Sequence, residues 1–119
     1  MRVRHEAADG DEGAVLATTV KHADSFGTQL KGLMFRDELP ADFAMLFDFG
    51  RPGFRSIHML FVRVPLDVLW LRDDEVVHRK TLSPWTGLGL ARADRVVELP
   101  AGAAEAVETG DRVVVEDAG

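Results

Sequence analysis

Short apolar runs, separated by turn-forming residues, dominate the pattern of this chain. Five such runs are rich in apolar or β-branched side chains and lie next to Gly, Pro or Asp: residues 14–20, 44–49, 76–78, 94–99 and 112–116. Runs of this length with these borders are typical of β-strands rather than helices. The pattern therefore predicts a chain built mainly from strands.

The longest apolar stretch, residues 54–71, is too long for one strand and is interrupted by Pro65. Because proline cannot donate a hydrogen bond to a ladder, we expect a bulge, a bend or an edge position there. In the second half of the stretch, alternation places Leu66, Val68 and Trp70 on one face and Asp67, Leu69 and Leu71 on the other.

Two segments favour short helices. Asp24 or Ser25 can cap a helix that Gly32 ends, and Pro100 can begin an Ala-rich helix over residues 101–108. Residues 72–75 are typical of a hairpin turn, and residues 81–91 of an irregular loop. We therefore expect a mainly β, single-domain β-sandwich or barrel of about seven or eight short strands with two short helices, over residues 1–119.

Composition supports one folded domain and removes several kinds of chemistry. The chain has 119 residues, of which 46% are apolar and 29% charged, so a compact core can offset the entropy of ordering it. Cysteine is absent, which excludes disulfides, thiolate catalysis and iron–sulfur clusters. Tyrosine is absent too, which excludes a phenolic acid or base.

The charge balance bears on partners and location. Twenty acidic and fourteen basic residues give a formal charge of −6, the wrong sign for a domain that neutralises a nucleic-acid backbone, so we expect no nucleic-acid partner. Arginine far outnumbers lysine, which fits either a high-salt cytosol or a coding bias. The start of the chain lacks a signal-peptide core and no segment is long enough to span a membrane, which favours a cytoplasmic protein without membrane contact.

Four polar residues stand beside apolar runs and are the candidate ligand-binding residues: Arg36, His58, Asp67 and Glu98. A buried imidazole or carboxylate needs a partner or shifts its pKa, so each is either functional or a satisfied structural group. An ion pair from Arg36 to Asp67 or Glu98 would satisfy both groups without catalysis. Convergence of the four in one surface depression would distinguish a site from separate structural roles.

No pattern supports a metal or a cofactor. The four histidines show no paired spacing, so we expect no metal site. The Gly87-Leu88-Gly89 segment is too short for a phosphate loop, no GxSxG element is present, and no local base accompanies a serine. We therefore expect no cofactor and no serine hydrolase.

An ordered set of motifs resembles the family called domain of unknown function 192. The motifs are KGLMFR at 31–36, LP at 39–40, AMLFDF at 44–49, HMLFVRVPLDVLWL at 58–71, VELPAG at 97–102 and GDRV at 110–113. The resemblance implies a small, mainly β fold and no established activity. Arg36, Asp67 and Glu98 match the family pattern, whereas His58 and Leu60 to Val62 depart from a more polar motif in many members.

Three interpretations of function remain open at this point. The first is a non-catalytic module that binds an unknown small molecule or protein through an apolar cleft edged by the four polar residues, as a monomer or weak dimer. The second is a small hydrolase or lyase in which Asp67 or Glu98 acts as base with His58. The third is a structural or chaperone-like accessory role.

Overall fold

A computed structural model describes residues 1–8, 10, 13–23 and 38–116 of the chain. It contains one eight-stranded sheet in the order β2-β1-β8-β6-β5-β7-β4-β3. The strands are β1 Arg2–Glu6, β2 Val15–Ala17, β3 Thr19–Ala23, β4 Phe43–His58, β5 Leu66–Arg72, β6 Glu75–Leu82, β7 Leu88–Pro100 and β8 Arg112–Glu116. The mainly β prediction is confirmed.

The sheet is open, so the prediction of a sandwich or closed barrel is replaced by a single curled sheet. Its end strands β2 and β3 do not pair with each other. They are successive parts of one chain segment, separated only by Thr18: β2 pairs with β1, and β3 pairs with β4 in parallel. One short stretch of chain therefore borders both ends of the sheet.

The predicted helix over 101–108 is wrong, because residues 101–106 form successive turns instead. Their amides bond three residues back, as from Ala103 to Pro100 and from Glu105 to Gly102. Gly102 has a φ of +95°, which a helical residue does not adopt. The other predicted helix, with its caps at Asp24 or Ser25 and Gly32, lies outside the described residues.

Alternation along β5 divides the core into two layers, as predicted. Leu66, Val68 and Trp70 belong to one buried cluster. Leu69 and Leu71 belong to the other cluster, in which they pack with Val3 of β1 and Val113 of β8. Burial on both faces explains why this strand reads as nearly continuous apolar sequence.

The long apolar stretch is interrupted at Pro65, as expected, and the interruption is a connection between two strands. β4 ends at His58, residues 59–65 form a connection, and Pro65 directly precedes the first residue of β5. The predicted loop over 81–91 is shorter, because β7 already begins at Leu88. β4 and β7 together make a long antiparallel ribbon whose register shifts between Asp48 and Gly53.

The far half of this ribbon, residues 53–58 paired with 88–93, is here called the ribbon end. It packs over Trp70, whose indole Nε1 donates to the carbonyl oxygen of Arg55 at 2.8 Å. Gly89 lies against the same ring, and a Cβ there would come within 2.4 Å of Trp70 Cη2. Ile57 and Met59 join the same core cluster. One face of the ribbon end therefore covers the core, and its other face points outward.

Candidate functional site

Asp67 is fully occupied as a buried acceptor. Its Oδ1 accepts from the Thr81 hydroxyl at 2.7 Å, and its Oδ2 accepts from the backbone N–H groups of Gly102 and Ala104, both at 3.0 Å. Arg79 Nη2 lies 3.9 Å from Oδ2. The carboxylate therefore fixes the turns at 101–106 against β5 and β6, which is a structural task.

Glu98 is as deeply buried as Asp67 but lies on the opposite face of the sheet. It stands directly across from Val68 on β5 and from Met45 on β4. Residues directly across a ladder share a face, and Val68 alternates with Asp67. The two carboxylates that match the family pattern therefore do not share a depression.

His58 occupies the last position of β4, directly across from Leu88. Its ring is half-buried, and its Nδ1 is buried without a hydrogen-bond partner in the described part of the chain. Arg36, the fourth candidate, lies outside the described residues. The roles of all four in ligand binding stay predictions, and only His58 of the three described ones borders an exposed apolar surface.

A depression of about 400 Å³ lies elsewhere, at the bend of the ribbon. Arg95 bridges two of its carboxylates, with Nη2 at 3.2 Å from Asp48 and Nη1 at 3.4 Å from Asp74, and Asp94 accepts from the backbone N–H of Asp73. These acids are already paired. No group of three or more potential metal ligands occurs among the described residues.

The outward face of the ribbon end carries exposed apolar side chains that the sequence interpretation missed. Residues directly across the ladder put six side chains on this surface, here called the ribbon face: Phe54, Ser56, His58, Leu88, Leu90 and Arg92. Phe54 is 74% exposed, Leu88 61% and Leu90 58%. Three large apolar groups on one small surface form a patch of the kind that proteins use for interaction.

Two loops continue the ribbon face at its tip. The Met59 N–H bonds the Gly87 carbonyl at 3.1 Å and the Trp85 N–H bonds the Val62 carbonyl at 3.1 Å, which ties the loops together. The exposed rings of Phe61 and Trp85 meet edge to face at 5.4 Å. Both residues have positive φ, 64° and 65°, a backbone strain that clusters at functional sites.

Charge is strongly segregated along the chain, and the segments without acidic residues include both strands of the ribbon end. Residues 49–66 and 76–93 contain six basic residues and no acidic residue, a formal +6. The other 83 residues contain eight basic and twenty acidic residues, a formal −12. The formal charge of the whole chain does not show this division, whereas the positions of the acidic residues along the sequence do. Those positions are the signal that would have located the ribbon end.

The basic residues of these segments differ in what they contact. Arg55 stacks on the Phe49 ring at 3.9 Å and bonds backbone carbonyls, so it belongs to the ribbon's own structure. Lys80 donates to the Leu88 carbonyl at 2.7 Å while its side chain stays exposed. Arg51 and Arg92 are exposed, and neither forms an ion pair with any other described residue. Positive charge therefore borders the exposed apolar groups.

A buried polar pair lies between β1 and the turn that precedes β8, away from the ribbon end. His5 Nε2 and Asp111 Oδ2 are 2.7 Å apart, and Asp111 also accepts from the N–H groups of Ala8 and Glu108. Burial raises the pKa of Asp111, but the hydrogen bonds from Glu108, His5 and Ala8 outweigh it and hold the pKa below its ordinary value of 3.8. This pair joins β1 to the turn before β8.

The described part of the chain has no helix long and apolar enough to cross a bilayer.

Comparison with known proteins gives a family and a fold. The DUF192 family model, described as "Uncharacterized ACR", matches residues 7–115. A UPF0127 protein of Pyrococcus furiosus is 37% identical over 106 residues, which cover 86% of this chain and 90% of that protein. The resemblance expected from the motifs is thereby confirmed.

Two crystal structures share the architecture over nearly the whole chain. One is of a protein from Sinorhizobium meliloti described as a putative transcription regulator, with a TM-score of 0.79 at 28% identity, covering 95% of this chain and 91% of that one. The other is of a protein of unknown function from Novosphingobium aromaticivorans, with a TM-score of 0.77 at 25% identity, covering 97% of this chain and 84% of that one.

Proposed function

Because this chain belongs to the DUF192 family, whose description names no activity, we propose a function from the surface of the domain itself. The domain is a non-catalytic binding module that recognises a partner protein through the ribbon face and the two adjoining loops. The observation that carries this proposal is the exposure of Phe54, Leu88 and Leu90 on one rigid, outward surface.

The composition of this surface fits a protein interface. Aromatic residues and arginine are enriched at the centres of such interfaces, where they supply large contact areas and fixed hydrogen bonds. Here Phe54 stands directly across from Arg92, and the Phe61–Trp85 pair lies at the adjoining tip. Each cross-strand pair of the ribbon face joins one apolar and one polar side chain, so a partner can both bury area and form hydrogen bonds.

The surface is also held in place before any partner arrives. The Trp70 indole anchors the ribbon end through the Arg55 carbonyl, and Gly89 allows close packing on the same ring. Backbone hydrogen bonds fix the loops at 59–62 and 83–87 to each other. A preformed surface loses little entropy on binding, which favours affinity.

The hydrolase or lyase alternative gains no support from this arrangement. A catalytic base must reach a proton of the substrate, yet both oxygens of Asp67 already accept hydrogen bonds from Thr81, Gly102 and Ala104. Glu98 points to the other face of the sheet and is buried. We assign Asp67 to the fold and keep His58 as the candidate residue that belongs to the proposed surface.

The proposal is tested by photo-crosslinking with the full chain. A photoreactive side chain at position 54 should crosslink to one defined protein in the cells that naturally produce this domain. The matched control is position 15, because Val15 is also an exposed apolar residue, 47% exposed, but lies on β2 outside the ribbon face. The Leu88→Ser/Leu90→Ser variant should abolish the product at position 54. Equal crosslinking from positions 54 and 15 would overturn the proposal.

A further inference from the structure

We propose that the partner of the ribbon face is an acidic protein segment that presents apolar side chains, an inference that rests on the proposed function. The ribbon face combines the exposed Phe54, Leu88 and Leu90 with the exposed Arg92, and it lies in segments of the chain that contain no acidic residue. Each of these features has its own counterpart in such a segment: apolar anchors for the leucines and phenylalanine, and carboxylates for the arginines.

The charge argument begins with the absence of acids. In a chain with twenty acidic residues, thirty-six positions in two segments that meet in space contain none. An acid there would form an ion pair with a neighbouring arginine and repel an acidic partner. Arg51 and Arg92 instead remain exposed and unpaired with described residues, so their charge is available to carboxylates from outside.

The apolar groups narrow the class of partner. Leu88 and Leu90 are aliphatic and strongly exposed. Unlike the exposed aromatic rings beside them, these leucines cannot stack on nucleobases, so a single strand bound to the rings would leave them uncovered. Ser56 stands directly across from Leu90, and His58 directly across from Leu88. Inserting these leucines into a bilayer would carry the polar neighbours into the hydrocarbon as well, at a cost. A peptide can satisfy both kinds of group at once.

A second copy of this chain fits less well. Two ribbon faces brought together would oppose like charges, since each lies in a segment set with a formal +6. The acidic remainder of the molecule exposes few large apolar groups: Met1 and Val15 are the only described ones there. Two ribbon faces together supply no carboxylates, and the acidic remainder of a second copy supplies only Met1 and Val15 as exposed apolar anchors among the described residues.

The test is a selection of random peptides displayed against the full chain, because it leaves the chemistry of the occupant free. We expect the enriched peptides to carry more Asp and Glu than Lys and Arg and to share two or more Leu, Ile, Phe or Trp residues. Their affinity should fall as sodium chloride is raised, since exposed charge pairs are screened. Anionic vesicles and single-stranded DNA are measured in parallel.

Two variants tie the selected peptides to the ribbon face. Arg92→Glu should weaken binding about tenfold, whereas Arg72→Glu, at an exposed arginine outside the face, should change it less than about twofold. Phe54→Ser should abolish binding. Near-neutral or basic peptides bound at the same face would overturn the acidic occupant while leaving the proposed function standing. Tighter binding to vesicles or DNA, or no enriched peptide, would overturn this inference, and the crosslink at position 54 then decides the proposed function separately.

Discussion

Two regions of this sheet, the paired strands β1 and β8 and the ribbon end, place polar and apolar groups in opposite ways. At β1 and β8, His5 and Asp111 are buried and bonded to each other, while half-buried side chains such as Arg2 and Glu116 form ion pairs. At the ribbon end, Phe54, Leu88 and Leu90 are exposed. The polar groups at β1 and β8 have partners within the chain, whereas the ribbon end leaves apolar surface exposed that another molecule can cover.

The difference separates residues that hold the fold from residues that are free to recognise a partner. Removing a satisfied buried acceptor leaves its donors without partners and costs stability. Removing an exposed apolar side chain costs the folded domain almost nothing. Substitutions of these two kinds should therefore differ in their effect on the free energy of unfolding. Four variants test this, from the largest expected loss to the smallest.

Asp67→Ala should give the largest loss, about 3 to 5 kcal/mol in the free energy of unfolding. It leaves the Thr81 hydroxyl and the N–H groups of Gly102 and Ala104 without their acceptor. Urea denaturation measures the change. Thr81→Val is the matched control, because it removes one of those hydrogen bonds and should cost about 1 kcal/mol. A loss near zero for Asp67→Ala would remove this carboxylate from the fold.

Asp111→Asn should cost about 2 kcal/mol near neutral pH, because a charged acceptor of three hydrogen bonds becomes a neutral one. The pKa of Asp111 is lower in the folded chain than its ordinary value of 3.8. Its contribution is therefore complete above that pH and is lost as the pH falls through the folded value. Urea unfolding curves should show the difference between wild type and variant shrinking in acid; a difference that grows would contradict the assignment.

Gly89→Ala should cost about 1 to 3 kcal/mol, since a methyl group there meets the Trp70 ring at 2.4 Å. This substitution acts on the inner face of the ribbon end and so sharpens the contrast with its outer face. Thermal unfolding measures the loss. Gly50→Ala shows the cost of backbone strain without a clash, because Gly50 has a φ of +77° and a Cβ there meets no atom within 4 Å. A loss near zero for Gly89→Ala would show that the Trp70 ring can move aside for the methyl group.

The features of this molecule that depend on local sequence pattern could be predicted from the sequence. Alternation along 66–71 correctly divided Leu66, Val68 and Trp70 from Leu69 and Leu71, because a side chain's face follows directly from its position on a strand. The Ala-rich composition of 101–108 misled, because helix propensity is weak and the Asp67 carboxylate, distant in sequence, holds the amides of Gly102 and Ala104 in turns.

The candidate site shows the same limit more strongly. A carboxylate inside an apolar run needs a partner, which makes Asp67 and Glu98 candidates, and each is indeed buried. Whether they meet depends on strand register, which places Glu98 across from Val68 and so on the face opposite to Asp67. The exposure of Leu88 and Leu90 agrees with the surface loop expected over 81–91, but their position on a strand paired with β4 was not predicted, because the glycines around them are typical of a loop.

Phe54→Ser with Leu90→Ser should have the smallest effect on stability, within about 0.5 kcal/mol of wild type. Both side chains are mainly exposed, 74% and 58%, so the folded chain buries little of them and loses little transfer free energy when they are removed. Denaturation measures this directly, and Ile57→Ser, which replaces a fully buried neighbour on the same strand, is the control that should unfold readily. If the exposed pair cost as much as a core substitution, the ribbon face would be packed against other parts of the chain and unavailable to a partner. If it costs nothing yet abolishes binding of the selected peptides, these side chains serve recognition rather than the fold.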